Sequence, residues 1–598
     1  MNKKDLSLAV VLILMIPVWL MFDAKVLKPR FPEAPAPVST ATPAPVLPVD
    51  APLVEIARPE QTGPAPQGTP APLLVPVQGE APAEAETVWL RNEVLEVQFS
   101  NLGGTVLMAD LLEYPATLAD KELEDGETVT LDFSTVAFPA LSTNMAGLDP
   151  RTPLQIGDFD ENRVVFQREV LPGLIFSREI SLSEGYELQV VDRWSNTGEA
   201  ALTVPEVQLF LGPMFPREEI SQKFGPFVSI DARHPPKTGT QHYVKRLRKA
   251  VGKTTEVFEE TVPLPVEWVG VKNKFFTQVL TLENDAAPGM EALTLRARAG
   301  EQGAAAIGYA QPSVTLGSFA LSPGQSMERS FSYYVGPISM ENLRALGGRQ
   351  EELIDFRLFK FIVPLGKLMM YGLNQLHALT GNWGIAIILL TFVVRMLFWP
   401  LTQKGAENMK RMSELSPQMK ELKEKYKNNP QKLNAEMSAF YKANKVNPMA
   451  GCLPMLVQIP VFISLYGVLR VAVELRFAEF LWVKDLSEQE ALFTVAGFPV
   501  NILPLTMGVT MVLQQRLTPS NMDEQQKKIM MMMPIVFLFI CYNMPAGLLL
   551  YWTTSNLISI YQTTHTRRRD AKKAAAAPTS ASGLKAVKNP KASKPKSK

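Results

Sequence analysis

The chain has 598 residues, with 60 Lys+Arg against 59 Asp+Glu and a net charge of +1. That balance leaves no global basic field for nucleic acid. Two cysteines, Cys452 and Cys541, exclude a disulfide scaffold and a Cys-rich zinc module, and four histidines are too scattered for a sequence-readable metal site.

In chain order, Lys3 and Lys4 precede an uncharged apolar run at 6–22. A positive flank before such a run marks a signal peptide or a membrane anchor. The lack of a clean small-x-small site after Phe22 favours an uncleaved anchor, residues 1–28. Residues 29–85 hold 15 of the 48 prolines. Proline lacks the amide donor and fixes φ, so this stretch reads as an extended tether.

The period then changes to two. Leu95, Val97 and Phe99 alternate before Gly103-Gly104, and Tyr186, Leu188 and Val190 alternate before Ser195-Asn196-Thr197-Gly198. Val314 and Leu316, then Phe331 and Tyr333, repeat the pattern around Pro323-Gly324. Short alternating strands between turn signals predict an antiparallel β-sandwich over 86–345. Gly252-Lys253-Thr254 resembles the end of a phosphate loop, but Leu247 stands where its first glycine belongs, so no nucleotide site is assigned.

Residues 346–381 include an apolar stretch interrupted by Lys360, Pro364, Lys367 and His377, which reads as an amphipathic helix lying along a membrane face, or alternatively as a buried helix of the preceding domain. Five apolar runs follow, at 383–399, 450–473, 498–513, 529–542 and 546–561. With the N-terminal run they make six spans, five of them in a core at 382–565. The loop 401–450 holds ten basic and five acidic residues, and the tail 566–598 holds eleven basic residues and one acid. The loop 474–500 has two basic and five acidic residues. The positive-inside bias puts both termini in the cytoplasm and the β-sandwich outside. The expected architecture is a multi-domain membrane protein: an antiparallel β-sandwich, an α-helical transmembrane bundle and a cytoplasmic helical hairpin.

The hairpin is read from 401–450. Met412, Leu415, Met419, Leu422 and Tyr426 follow helical spacing, Asn428-Asn429-Pro430 breaks it, and Leu433, Met437 and Phe440 resume it. Met412, Met419 and Met437 offer flexible, polarizable surface for varied apolar partners; the same seam also suits a self-packed coiled coil. The run at 529–542 is only about 21 Å of helix against a hydrocarbon core of about 30 Å, which predicts local thinning of the bilayer.

Arg395 is the charge within the run 383–399. A mid-membrane charge costs about 2.5 to 3.5 kcal/mol on the lenient scale, so it needs water, a partner or a route to the headgroups. Snorkelling past Pro400 is one route. The other is a wet cleft open to the cytoplasm, lined by Arg395, Thr391 one turn earlier, Gln458, Gln514, Trp552 and Asn556. Each of these polar residues also suits ordinary helix–helix hydrogen bonding.

Several motifs carry a resemblance. Gly381-Asn382-Trp383-Gly384, Thr391 to Arg395 and Pro400-Leu401-Thr402 form one group. Lys445-Val446-Asn447-Pro448, Gly451-Cys452, Gln458-Ile459-Pro460 and Val473-Glu474-Leu475-Arg476 form a second. Gln525-Gln526-Lys527-Lys528, Pro534, Gly547-Leu548 to Tyr551 and Ser555-Asn556-Leu557 form a third. Together they resemble the YidC/Oxa/Alb insertase family in its Gram-negative form. The resemblance implies a protein of the bacterial inner membrane that inserts and helps fold nascent membrane proteins through a hydrophilic groove, alone or beside the Sec translocon, without nucleotide hydrolysis. It implies Arg395 inside that groove, Thr391 lining it, Tyr551 and Trp552 touching substrate, and the 401–450 hairpin in substrate capture. Trp552 departs from the family's more usual second tyrosine. Expected partners are nascent membrane proteins, the Sec translocon, membrane lipids and, through the basic tail, the ribosome; no cofactor, metal or small-molecule substrate is expected. A small-solute transporter is the alternative, but the halves show no internal repeat. An intramembrane enzyme is disfavoured, because no His, Lys or carboxylate stands beside the serines and threonines of the spans.

Overall fold

The computed structural model describes residues 85–215, 228–235, 242–246, 258–283, 289–298, 309–354, 362–447, 453–495, 498–517 and 524–576. The anchor at 1–28, nearly all of the tether, the Gly252-Lys253-Thr254 segment and the tail beyond 576 lie outside the described residues.

The described residues between 85 and 337 build antiparallel sheets. The largest has nine strands in the spatial order His242–Arg246, Ser229–Arg233, Trp268–Lys272, Phe276–Leu282, Ser326–Pro337, Glu187–Asn196, Leu174–Leu182, Arg163–Leu171 and Gln155–Phe159. One four-stranded sheet runs in simple sequence order from Thr87–Arg91 to Thr128–Asp132. A second pairs Val207–Phe210, Tyr309–Leu316, Met290–Arg298 and Phe258–Val262. Tyr309–Leu316 packs on the strands Ser229–Arg233 and Trp268–Lys272, so the sheets stack face to face. The alternation seen in the sequence is the reason. Leu95, Val97, Phe99, Leu188, Val190, Phe331 and Tyr333 are all buried, because a period of two puts every second side chain on the inner face. The turns at Gly103-Gly104 (φ +68° and +58°) and Gly324 (φ +74°) use the left-handed region open to glycine.

Ten α-helices lie among the described residues. The short α1 (Leu118–Lys121) and α2 (Met340–Ala345) belong to the β-rich part. They are followed by α3 (Val363–Thr380), α4 (Trp383–Glu414), α5 (Ser416–Lys425), α6 (Pro430–Ala443), α7 (Leu453–Val471), α8 (Ile502–Leu517), α9 (Glu524–Cys541) and α10 (Ala546–Ala576). Gly381 ends α3 in the left-handed conformation, and the side chain of the next residue, Asn382, caps α4 by accepting from the Ile385 amide. One pair of residues thus sets the angle at which α4 leaves α3. Met369, Met370 and Leu373 of α3 are buried, and α3 packs on α4 and α7.

Among the described residues one helix, α4, is long and apolar enough to cross a membrane by length and composition. It continues through Pro400 to Glu414, well past the end of the apolar run. The first arm of the expected hairpin is therefore split, with Met412 on the last turns of α4 and Met419 on α5. The break falls where Pro417 starts α5, since proline is tolerated in a first helical turn. Met419 and Met437 are buried where α5 meets α6, while Met412 is half-buried. Exposed apolar residues line one face of α4 (Ile385, Leu389, Phe392, Val393, Met396, Leu397) and recur on α8, α9 and α10. Exposed contiguous apolar surface of this kind suits contact with lipid or with another protein. With 16 residues, α8 is about 24 Å long, shorter than the hydrocarbon core.

Candidate polar cleft between the helices

The site is built by α4, α7, α8 and α10. Arg395 is half-buried on α4, and its guanidinium donates from Nε to Ser555 Oγ on α10 at 2.8 Å, with a second donation from Nη2 to the same oxygen. It therefore turns into the bundle. Among the described residues no carboxylate lies within ion-pair distance of it. One turn before Ser555, Tyr551 is 2% exposed, and its hydroxyl accepts from Gln458 Nε2 on α7. Arg395, Ser555, Tyr551 and Gln458 thus bring polar groups from three helices together.

Beside this row, Asn556 Nδ2 donates to Thr510 Oγ1 on α8 at 3.1 Å, and both residues are buried. Gln514 is half-buried one turn beyond Thr510 on the same face. Trp552 makes edge contacts with Phe462 on α7 and Phe537 on α9, at ring separations of 4.6 and 5.1 Å. It is half-buried, so part of its aromatic surface stays open.

Thr391 is fully buried, and its hydroxyl donates back to the Ile387 carbonyl at 2.6 Å. That bond satisfies the hydroxyl within its own helix and takes its donor away from the cleft. Ser555 and Thr510 are the residues that site reasoning from sequence passed over. Trp552 and Asn556 lie on one face of α10, whereas Tyr551 and Ser555, four apart, share the neighbouring face that meets Arg395. Their spacing was the available signal.

Among the described residues the hydrogen-bond partner of the guanidinium is one neutral oxygen, Ser555 Oγ, which takes one bond from Nε and one from Nη2. A hydroxyl leaves the charge uncompensated, which suits negative or strongly polar groups. Among the described residues of the cleft, no nucleophile–base pair is in contact.

Two family models match the chain: one described as 60Kd inner membrane protein, over residues 375–573, and one described as YidC periplasmic domain, over residues 87–365. A membrane protein insertase YidC of Geobacter sulfurreducens is 32% identical over 480 residues, covering 78% of this chain and 83% of the relative. One from Geobacter sp. strain M21 is 45% identical over 244 residues, covering 41% of this chain and 44% of the relative. A solved structure of an active YidC insertase aligns at 20% identity with a TM-score of 0.34, over 82% of this chain and 93% of that one. On the two family models and the relative from Geobacter sulfurreducens, the chain belongs to the YidC family of membrane protein insertases.

Proposed function

We propose that this insertase lowers the barrier to moving polar polypeptide into the membrane through the cleft around Arg395. The observation that carries the reading is the pairing of Arg395 with the neutral Ser555 in place of a carboxylate. The hydrophilic tail of a nascent segment enters the cleft, where the guanidinium attracts its acidic residues. The apolar segment then slides into lipid along the exposed faces of α4 and α9, at about 25 cal/mol per Å² of apolar area removed from water. No covalent step is required. The cost avoided is that of carrying unpaired polar groups through hydrocarbon.

The proposal keeps the six-span topology with both termini cytoplasmic, and with it the sequence-based division of the chain. In this topology α5 and α6 are the cytoplasmic hairpin, and Met412, Met419 and Met437 lie along the apolar surface that first meets the client. Gln514, Trp552 and Asn556 line the outer part of the cleft. Thr391 is retained as a residue that packs the wall behind Arg395. Contacts with the Sec translocon, contacts with the ribosome through the basic tail, and thinning of lipid around the short helices belong to the same reading. No observation favours a small-solute transporter.

The test is insertion, in proteoliposomes, of paired substrates differing only in acidic residues of the translocated tail. Arg395→Ala is expected to abolish the advantage of the acidic tail, and Arg395→Lys to keep much of it. Equal discrimination by wild type and Arg395→Ala rejects the role of Arg395.

A further inference from the structure

The segment 472–495 between α7 and α8 is gripped from two sides. From the β-rich side, Arg476 donates to the carbonyls of Pro115 at 2.7 Å and Ala116 at 2.8 Å. Lys274, in the turn after strand Trp268–Lys272, has a side chain 3% exposed and pairs with Glu488, while also reaching the Ser487 carbonyl at 3.4 Å. Lys121 and Glu122 add surface pairs with Glu479 at 2.8 Å and Lys484 at 2.9 Å. Exposed pairs of this kind contribute little, so Arg476 and Lys274 are the principal holds.

The same segment closes helix ends in the bundle. Glu490 accepts from the Leu503 amide at 2.6 Å, capping α8. The amides of Ala546 and Gly547, the first two residues of α10, donate to the carbonyls of Glu488 at 2.7 Å and Leu486 at 2.9 Å. Asn382, the cap of α4, donates to the Glu479 carbonyl at 3.2 Å. Next to it, Phe480 lies so close to Gly384 that an added Cβ would come within 2.1 Å of the ring. Glu488 joins the two sides in one residue, its carbonyl on α10 and its carboxylate on Lys274. Phe477, Leu481 and Ala491 all hold positive φ (54°, 55° and 39°), a backbone cost that persists only where the surroundings over-determine the conformation.

We propose that the β-rich domain acts as a brace, holding segment 472–495 so that the adjoining ends of α4, α8 and α10 stay fixed and helix movement during insertion is confined to their opposite ends. This stands independently of the role given to Arg395. Burial pushes the Lys274 ammonium down in pKa and the Glu488 carboxylate opposes that, as expected of a charge held by a specific partner.

The test is amide hydrogen exchange of the full chain in proteoliposomes, which needs no insertion activity. Lys274→Ala and Arg476→Ala break the joint at separate points. Each is expected to raise exchange about tenfold in 476–491 and in the first turns of α8 and α10. The surface variant Lys121→Gln with Glu122→Gln leaves the sheets intact, and a rise of two- to threefold is expected in the same peptides. Unchanged protection of those helix starts in all three variants, or a rise confined to the β-strands, overturns the brace.

Discussion

Each half of the molecule draws an arginine inward, fully in one case and partly in the other, and the two are treated in opposite ways. In the β-rich domain Arg178 is 2% exposed and meets Asp192 through two parallel bonds of 2.7 Å, with Nη1 donating to the Leu141 and Gly104 carbonyls. Its charge is matched and its directional donors are satisfied, which is what a buried ion needs. Arg395 is half-buried in the bundle and rests on a serine hydroxyl. The first arrangement holds two sheet strands in register. The second leaves a charge available to something that arrives later. A buried cation therefore reads as structural or functional according to its partner, and burial alone does not decide.

Four expected outcomes sharpen or break this contrast. The largest belongs to the structural pair. Asp192→Ala strands Arg178 and should destabilise the β-rich domain by about 3–5 kcal/mol in denaturant unfolding of the full chain. A loss below about 1 kcal/mol would erase the distinction.

The next concerns Glu474, at the joint between the halves. Burial first, and Glu341 nearby, push its carboxyl up to about 7 from 4.5. Its Oε2 has no hydrogen-bond partner among the described residues. The folded state therefore binds this proton more tightly than the unfolded chain. The stability it contributes is present below pH 4.5 and is lost as pH rises toward 7. Glu474→Gln should remove that slope and recover about 2 kcal/mol at pH 8, read from unfolding midpoints across pH. An unchanged slope would mean that the carboxylate is already paired.

Third, Arg395→Ala should leave the unfolding midpoint unchanged or raised while slowing insertion about tenfold, a barrier change of about 1.4 kcal/mol. Destabilisation equal to that of Asp192→Ala would make Arg395 structural as well. The smallest effect is expected from Trp552→Tyr. It keeps an aromatic edge toward Phe462 and Phe537 and should alter insertion by less than about twofold, or under 0.5 kcal/mol. A larger loss would assign the indole a specific part in substrate contact.

The β-strands were legible because burial on one face imposes period two; Leu95, Val97 and Phe99 were read from sequence and all three are in the core. The sheet order was not legible, because the pairing of Ser326–Pro337 with Glu187–Asn196 spans more than a hundred residues and no local pattern encodes it. Arg395 was legible as a cost, since an ion in an apolar run needs explanation. Its partner was not, because serine is ordinary in such helices and only packing selects Ser555 over Asn556 or Ser559. Thr391 shows the converse. Helical spacing put it on the arginine's face, but a hydroxyl one turn above a carbonyl can satisfy itself locally. The joint at 472–495 was invisible except as an acidic loop, since its holds come from residues as distant as Pro115 and Lys274.

The most direct test of the account is photocrosslinking from Trp552 and Gln458 to a ribosome-stalled nascent chain with an acidic tail, in wild type and in Arg395→Ala. The account predicts adducts at both positions that map to the tail and fall sharply in Arg395→Ala. Adducts that are absent, or equally strong without the arginine, would contradict it.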